Sequence, residues 1–259
     1  RIADYFDLVA GTSTGGILSA FYLTPSKTLF KEDPISKFKA SEALAFYSKD
    51  GYKIFNASKK FGWFGLRQLF NASQYSPKEL EKILHREFQH LHLKELLKPC
   101  IITTYNLQSK NSFFFSSREP MDKDREFYVK DVLRSTSAAP TYFPPAFIEN
   151  LATQKQMINI DGGVFANNPT MCAYSEARAT DFEDISFPSA KDMLVLSIGT
   201  GGGQFDLPNV KKSGTWGILP WATSIPNIMM DGSIDTVDFQ MKNIFDTLHQ
   251  KDKFNYKRI

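Results

Sequence analysis

The sequence predicts an α/β fold, three layers of α/β/α on a central, largely parallel sheet, and three observations carry that expectation. Short apolar, β-branched runs alternate with helix-like stretches along the chain, the pattern of a sheet covered by helices on both faces. The first run, Phe6-Asp7-Leu8-Val9-Ala10, passes through Gly11-Thr12-Ser13-Thr14-Gly15 straight into the helix-like Gly16-Ile17-Leu18-Ser19-Ala20-Phe21-Tyr22. Two later runs, Met157 to Ile160 and Met193 to Ile198, end in the glycine-bearing segments Asp161-Gly162-Gly163 and Gly199-Thr200-Gly201-Gly202-Gly203.

Residues 5 to 23 read as strand, tight turn and helix. A serine in such a turn is pushed out of the backbone, the flanking glycines remove Cβ atoms that would clash, and the first helical N–H groups face the space beside it. Residues 40 to 50 favour helix by propensity. Ser76-Pro77-Lys78-Glu79 is a helix start, with Ser76 as cap, Pro77 in the first position and Glu79 closing a capping box; Leu80, Ile83, Leu84 and Phe88 then share one face. After Pro99, Cys100 to Tyr105 reads as a strand and Asn111 to Phe115 as its partner across a polar turn. Tyr128 to Arg134 is a short amphipathic helix running into Ser135-Thr136-Ser137-Ala138-Ala139-Pro140. Met157 to Ile160 is a strand that delivers Asp161 at its end, a further helix follows from Thr170 to Ala179, and Met193 to Ile198 is a buried strand. The chain contains no internal repeat and no low-complexity tract.

With 259 residues, 42% hydrophobic and 23% charged, the chain has an ordinary globular balance and suits one large domain or two small ones; we expect a single catalytic domain over 1–259. The net charge of +3 is spread without a basic stripe, which argues against nucleic acid as a partner. Cys100 and Cys172, the two cysteines, sit in apolar surroundings without zinc-ligand spacing, so both read as buried, reduced thiols and no metal or other cofactor is expected. This cysteine usage leans towards an intracellular setting, cytoplasmic or membrane-peripheral. No apolar run approaches the ~18 residues that span a bilayer. The chain begins at Arg1 only a few residues before a strand, so a further segment is expected upstream.

A serine needs a base. The four histidines are His85, His90, His92 and His249; three crowd on or just after the Leu80–Phe88 stretch among charged residues, and His249 lies in a polar tail, so none follows a strand as a hydrolase base does. Asp161 does. At the end of an apolar strand it would face the same edge as Ser13 and could accept its proton, with a pKa above the solution value if desolvated. Alternatively, Asp-Gly-Gly is a turn and nothing more.

Gly11-Thr12-Ser13-Thr14-Gly15-Gly16 together with Asp161-Gly162-Gly163 resembles the patatin-like phospholipases. The resemblance extends, in the family's order, through Phe6 to Ala10, Ser137-Ala138-Ala139-Pro140, Asp161-Gly162-Gly163-Val164-Phe165-Ala166-Asn167-Asn168-Pro169 and Leu196-Ser197-Ile198-Gly199-Thr200-Gly201, from about residue 5 to 201. It implies a patatin-like α/β/α fold and a Ser-Asp dyad without histidine: Ser13 as nucleophile, Asp161 as general base and the backbone N–H of Thr14 as one oxyanion donor. It also implies a strand and a glycine-rich, arginine-bearing loop ahead of Arg1 that supply most of the oxyanion hole. The expected activity is hydrolysis of lipid acyl esters, of phospholipase A or lysophospholipase type, through an acyl-enzyme and without a metal. A catalytically silent storage or binding protein on the same fold, or an acyl transferase, are the alternatives. The expected partner is a phospholipid or other acyl lipid, with peripheral membrane contact through Phe61-Gly62-Trp63-Phe64-Gly65-Leu66 or Trp216-Gly217-Ile218-Leu219-Pro220-Trp221, loops whose aromatic and apolar residues suit an interface.

Overall fold

A computed structural model describes residues 1–26, 34–56, 73–118, 125–182, 184–201, 218–249 and 253–259. They form two compact units, Arg1–Gly163 and Val164–Ile259. The first carries, in order, β1 (Val9–Gly11), α1 (Thr14–Leu23), α2 (Ala40–Ala45), one π-helical stretch (Phe46–Asp50), α3 (Gly51–Asn56), α4 (Lys78–Phe88), β2 (Cys100–Asn106), β3 (Asn111–Ser116), α5 (Val129–Thr136), β4 (Ala146–Glu149) and β5 (Gln156–Asp161). Its five strands form one sheet in the order β1-β2-β5-β4, with β3 also paired to β2.

The α/β class is as expected, and the sheet is mixed. β1 runs parallel to β2, with Ala10 opposite Ile101, because the long helical excursion between them returns the chain to the same edge. The expectation of a largely parallel sheet gives way at the other pairings of this sheet, β2 with β3, β2 with β5 and β4 with β5, which are antiparallel. Side chains explain two of these reversals. Asn106 Oδ1 accepts the N–H groups of Gln108 and Ser109, both at 2.9 Å, and Asn150 Oδ1 accepts those of Ala152 and Thr153 at 3.0 and 2.8 Å. Such Asx turns fold the chain back within a few residues, and a connection that short joins only antiparallel strands.

The core of this unit is the face that the sequence periodicity marks. Leu80, Ile83, Leu84 and Phe88 of α4 are all buried, as are Ile17, Phe21 and Leu23 of α1 and Val132 and Leu133 of α5. Each such side chain contributes about 1.5–3 kcal/mol by leaving water. Phe21 is the hinge of an aromatic cluster, with ring centroids 4.7, 4.9 and 5.2 Å from Phe38, Phe46 and Phe88. Helix α4 starts one residue later than the capping signal suggests: Pro77 occupies the cap position without a side-chain bond, and Ser76 Oγ accepts the Lys78 N–H at 3.4 Å. Of the cysteines, Cys100 is buried as expected, whereas Cys172 is half-buried.

The second unit holds the rest of α6 (Gly163–Ala166), then α7 (Thr170–Arg178), β6 (Val195–Ser197), α8 (Ile218–Asp246) and β7 (Tyr256–Arg258). β6 and β7 pair in parallel. Its core is small, with Met241, Phe245 and Tyr256 buried round Ala190. Two of the sequence blocks meet here. Asn168 Oδ1 accepts the Thr170 N–H, the first of α7, at 3.1 Å, the Thr170 hydroxyl donates onward to Ser197 Oγ at 2.8 Å, and Arg258 Nη1 donates to the same Ser197 oxygen at 2.7 Å. Among the described residues no helix is long and apolar enough to cross a membrane.

Candidate active site

The turn after β1 imposes an unusual backbone on Ser13, φ 55° and ψ −125°. A non-glycine residue there is strained, at a cost of order 1–3 kcal/mol, so the surroundings must hold it. Three contacts do so. Ser13 N–H donates to Thr136 Oγ1 at 2.9 Å, from the last residue of α5. The hydroxyls of Thr12 and Thr103 share a hydrogen bond of 2.7 Å. The carbonyl of Thr14 accepts the Tyr47 hydroxyl at 2.5 Å. Thr103 and Thr136 are fully buried, so neither hydroxyl has water as an alternative partner.

Gly11 is required by space: a Cβ there would stand 2.5 Å from the Gly15 carbonyl oxygen. The expectation of the same constraint at Gly15 does not hold, since a Cβ at that position meets nothing within 4 Å; it would point into open space beside the elbow.

Ser13 is the cap residue of α1, yet its side chain makes no capping bond. The Ser13 side chain instead lies close enough to the Asp161 carboxylate to favour its charged form. Asp161 is the last residue of β5, paired across the sheet with Thr104, and is 3% exposed. Gly163 N–H donates to its Oδ1 at 2.7 Å, and its own N–H donates to the Ala138 carbonyl at 3.0 Å. Burial pushes the Asp161 carboxyl up from 3.8 to about 6, against the Ser13 and Gly163 hydrogen bonds, which favour the charged form. The segment after it is more than a turn, because Gly163 opens α6. A Cβ on Gly162 would fall 2.1 Å from Thr103 Oγ1, so Thr103 touches the serine loop through Thr12 and the aspartate loop through Gly162.

Thr14 is exposed and begins α1, so its N–H has no intrahelical acceptor. It lies beside Ser13 at the positive end of the helix dipole, where a developing oxyanion is stabilised. The histidines gather elsewhere. His85 and His90 are exposed with rings 5.9 Å apart, and His90 and His92 stack edge-on to Tyr128 at 5.4 and 5.0 Å. His249 is exposed too. Among the described residues, no group of three or more His, Cys, Asp or Glu side chains is placed to hold a metal ion.

Sequence reasoning paired Ser13 with Asp161 but missed Thr103, Thr136 and Tyr47, which come from three other elements and carry no local signal. Of the two stretches expected to face lipid, residues 61–66 lie outside the described residues, as do Trp216 and Gly217. Residues 218–221 belong to the first turns of α8 and not to a loop.

A family model described as patatin-like phospholipase matches residues 1–174. Among curated proteins, Patatin-like protein 2 of Arabidopsis thaliana is 34% identical, with 100% of this chain and 66% of that protein covered. Patatin-like protein 6 of Arabidopsis thaliana is 33% identical over 100% of this chain and 51% of its own length. Patatin-1-Kuras 2 of Solanum tuberosum is 30% identical, with 100% and 68% covered. The chain thus spans roughly half to two thirds of the length of these relatives.

Proposed function

Because the chain belongs to the patatin-like phospholipase family, we propose that it is a serine lipid acyl hydrolase that works through a Ser13–Asp161 dyad. The observation that carries this reading is the closeness of the Ser13 side chain to a buried Asp161 carboxyl that desolvation raises to about 6. A carboxylate poised near neutrality is ionised enough to accept a proton and basic enough to draw one from a hydroxyl.

The steps follow from these groups. Asp161 takes the Ser13 proton as Oγ attacks the ester carbonyl, and the tetrahedral oxyanion is held by the Thr14 N–H. Asp161 returns the proton to the departing alcohol, leaving the acyl group on Ser13. Water then attacks the acyl-enzyme while Asp161 again takes a proton, and collapse frees the fatty acid and restores the Ser13 hydroxyl. Asp161 is ionised at the start and end of each half-reaction, taking one proton from the attacking hydroxyl or water and giving it to the leaving oxygen, so proton transfer needs no third residue.

Phospholipids and lysophospholipids are the substrate class we propose, with fatty acyl esters as the reactive group. A serine-reactive fluorophosphonate tests the reading. The native protein should be labelled on Ser13 and should release fatty acid from a phospholipid, and both signals should vanish in Ser13→Ala. Folded native protein that takes no label and releases no fatty acid would overturn it in favour of a silent member of the fold.

A further inference from the structure

The helical run formed by α2, the π-helical stretch and α3 has two unlike faces. Its inner residues Ala43, Phe46, Asp50 and Ile54 are buried. Tyr47, on the same run, bonds the carbonyl of the residue that follows Ser13. Its outer side exposes three large apolar residues, Leu44 at 69%, Tyr52 at 72% and Phe55 at 43%, with Ser41 before them and Ser48 between them. Large apolar side chains grouped this way on one helical face mark an interaction surface more often than scattered ones do. The aromatic surface continues past the run, since the Phe55 ring lies 5.1 Å from Tyr75, which stacks at 6.1 Å on Tyr142.

Charge selects the occupant. Lys49 and Lys53 are exposed beside these residues. Of the two acids of the run, Asp50 pairs with Lys53 and Glu42 lies well before Lys49 in the chain, which leaves Lys49, among the described residues, as the uncompensated charge. Asp50 is buried and held by Arg86 at 2.7 Å and Lys53 at 2.9 Å, and Glu42 folds back to accept the Lys39 N–H at 2.6 Å. An exposed stripe of leucine, tyrosine and phenylalanine flanked by lysines matches a headgroup boundary, where aromatic rings enter the interface and lysine stems reach the phosphates. An acidic protein partner would use the same lysines and rings; it is the occupant that an absence of flotation would favour.

We propose that the Leu44–Tyr52–Phe55 face is the surface by which this protein lies on an anionic phospholipid bilayer. Tyr47 of the same run bonds the Thr14 carbonyl, so this run is tied to the serine elbow, and a role for the face in delivering lipid to Ser13 follows if the elbow is the active site. The role in catalysis rests on the Ser13–Asp161 reading; the binding itself does not.

The experiment therefore uses Ser13→Ala, which cannot turn over lipid, in flotation with vesicles of phosphatidylcholine alone and of phosphatidylcholine with phosphatidylserine. The protein should float with the mixed vesicles and much less with the neutral ones. Adding Leu44→Ser, Tyr52→Ser and Phe55→Ser should weaken the affinity at least tenfold, with an unchanged far-ultraviolet spectrum as the check on folding. If that variant does not fold, Lys49→Gln with Lys53→Gln serves instead: each lysine near an anionic surface is worth roughly fivefold, so the pair should lose most of the preference for phosphatidylserine and most of its salt sensitivity. No flotation of Ser13→Ala, or equal flotation of the folded variants, overturns the proposal. So does lipid-free self-association that the triple change abolishes, because a second copy would then cover the face. Flotation without any fluorophosphonate labelling of the native protein would leave the docking surface standing and remove the dyad; labelling without flotation would do the reverse.

Discussion

The two ends of α5 differ in the chemistry they can support. Its N-terminal end, at Tyr128, is ringed by His90 and His92, with His92 Nδ1 3.5 Å from Glu126 and Lys94 bonded to the same carboxylate. Its C-terminal end, at Thr136, is dry: Ser135, Thr136 and Ser137 are buried, Thr136 holds the Ser13 N–H, and the Ala138 carbonyl just beyond holds the Asp161 N–H. Eight helical residues separate the ends, about 12 Å. The imidazoles are thus an entire helix away from the strained serine. The wet end has groups with suitable solution pKa values and no nucleophile. The dry end has a group with an unsuitable solution pKa that burial corrects. On the proposed dyad, desolvation and not residue type assigns the base.

The largest test of this contrast is Asp161→Asn. An amide cannot accept the Ser13 proton, so kcat should fall by about 10²–10⁴, the span of general-base catalysis, measured as fatty acid release. If the dyad is right, the native protein should also show kcat/KM rising with pH through a midpoint near 6 and flat above it, because the base must be the ionised carboxylate. Stability has the opposite sign. The folded pKa lies above the ordinary 3.8, so the stabilisation from the protonated carboxyl is fully present below about pH 4 and is lost as the pH rises through 6. The charged, buried form costs on the order of 3 kcal/mol. Asp161→Asn should therefore melt higher than the native protein at pH 8 and not at pH 4. A variant that loses activity and also melts lower at pH 8 would make Asp161 a structural residue and erase the distinction between the two ends.

A smaller effect is expected from Thr136→Val, which keeps the shape of the side chain and removes the acceptor for Ser13 N–H. An unsatisfied buried donor costs about 1–3 kcal/mol, and relaxation of the elbow should move Oγ off the Asp161 carboxylate. We expect kcat to fall roughly tenfold with KM little changed, and Thr136→Ser to restore it. Equal kcat in the valine and native proteins would mean that the elbow is held by Gly11 and the sheet alone.

How much of this was legible in the sequence depends on how local the cause is. Ser13 follows a short apolar strand and Asp161 ends one, so their neighbours in sequence announce them. The faces of α4 and α5 were equally plain, since periodicity is also local. Thr136 was not legible as a partner of Ser13, because the contact closes over 123 residues. β4 is only four residues long behind Pro144-Pro145 and makes its case through pairing with β5, which no local pattern encodes. α8 was hidden by Pro220, Pro226 and Gly232, ordinarily helix breakers; its later turns are fixed by burial of Met241 and Phe245. The one misreading inside the site, a steric need for Gly15, came from treating both glycines of the turn alike, when only Gly11 faces another backbone.

The smallest expected effect probes the wet end. Replacing His85, His90 and His92 by Gln, one at a time, should leave kcat within about twofold. His85 and His90 face solvent, and a surface substitution away from special contacts moves stability by no more than about 0.5 kcal/mol. His92 is half-buried beside Glu126 and is the most exacting of the three. Its loss would leave Lys94 to hold that carboxylate, so we expect a small change in melting temperature and none in the pH midpoint of kcat/KM. The midpoint is the decisive reading. A histidine acting as base would carry the profile with it, and its replacement would remove the limb near pH 6 altogether; a carboxylate base leaves that limb in place in all three variants and removes it only in Asp161→Asn.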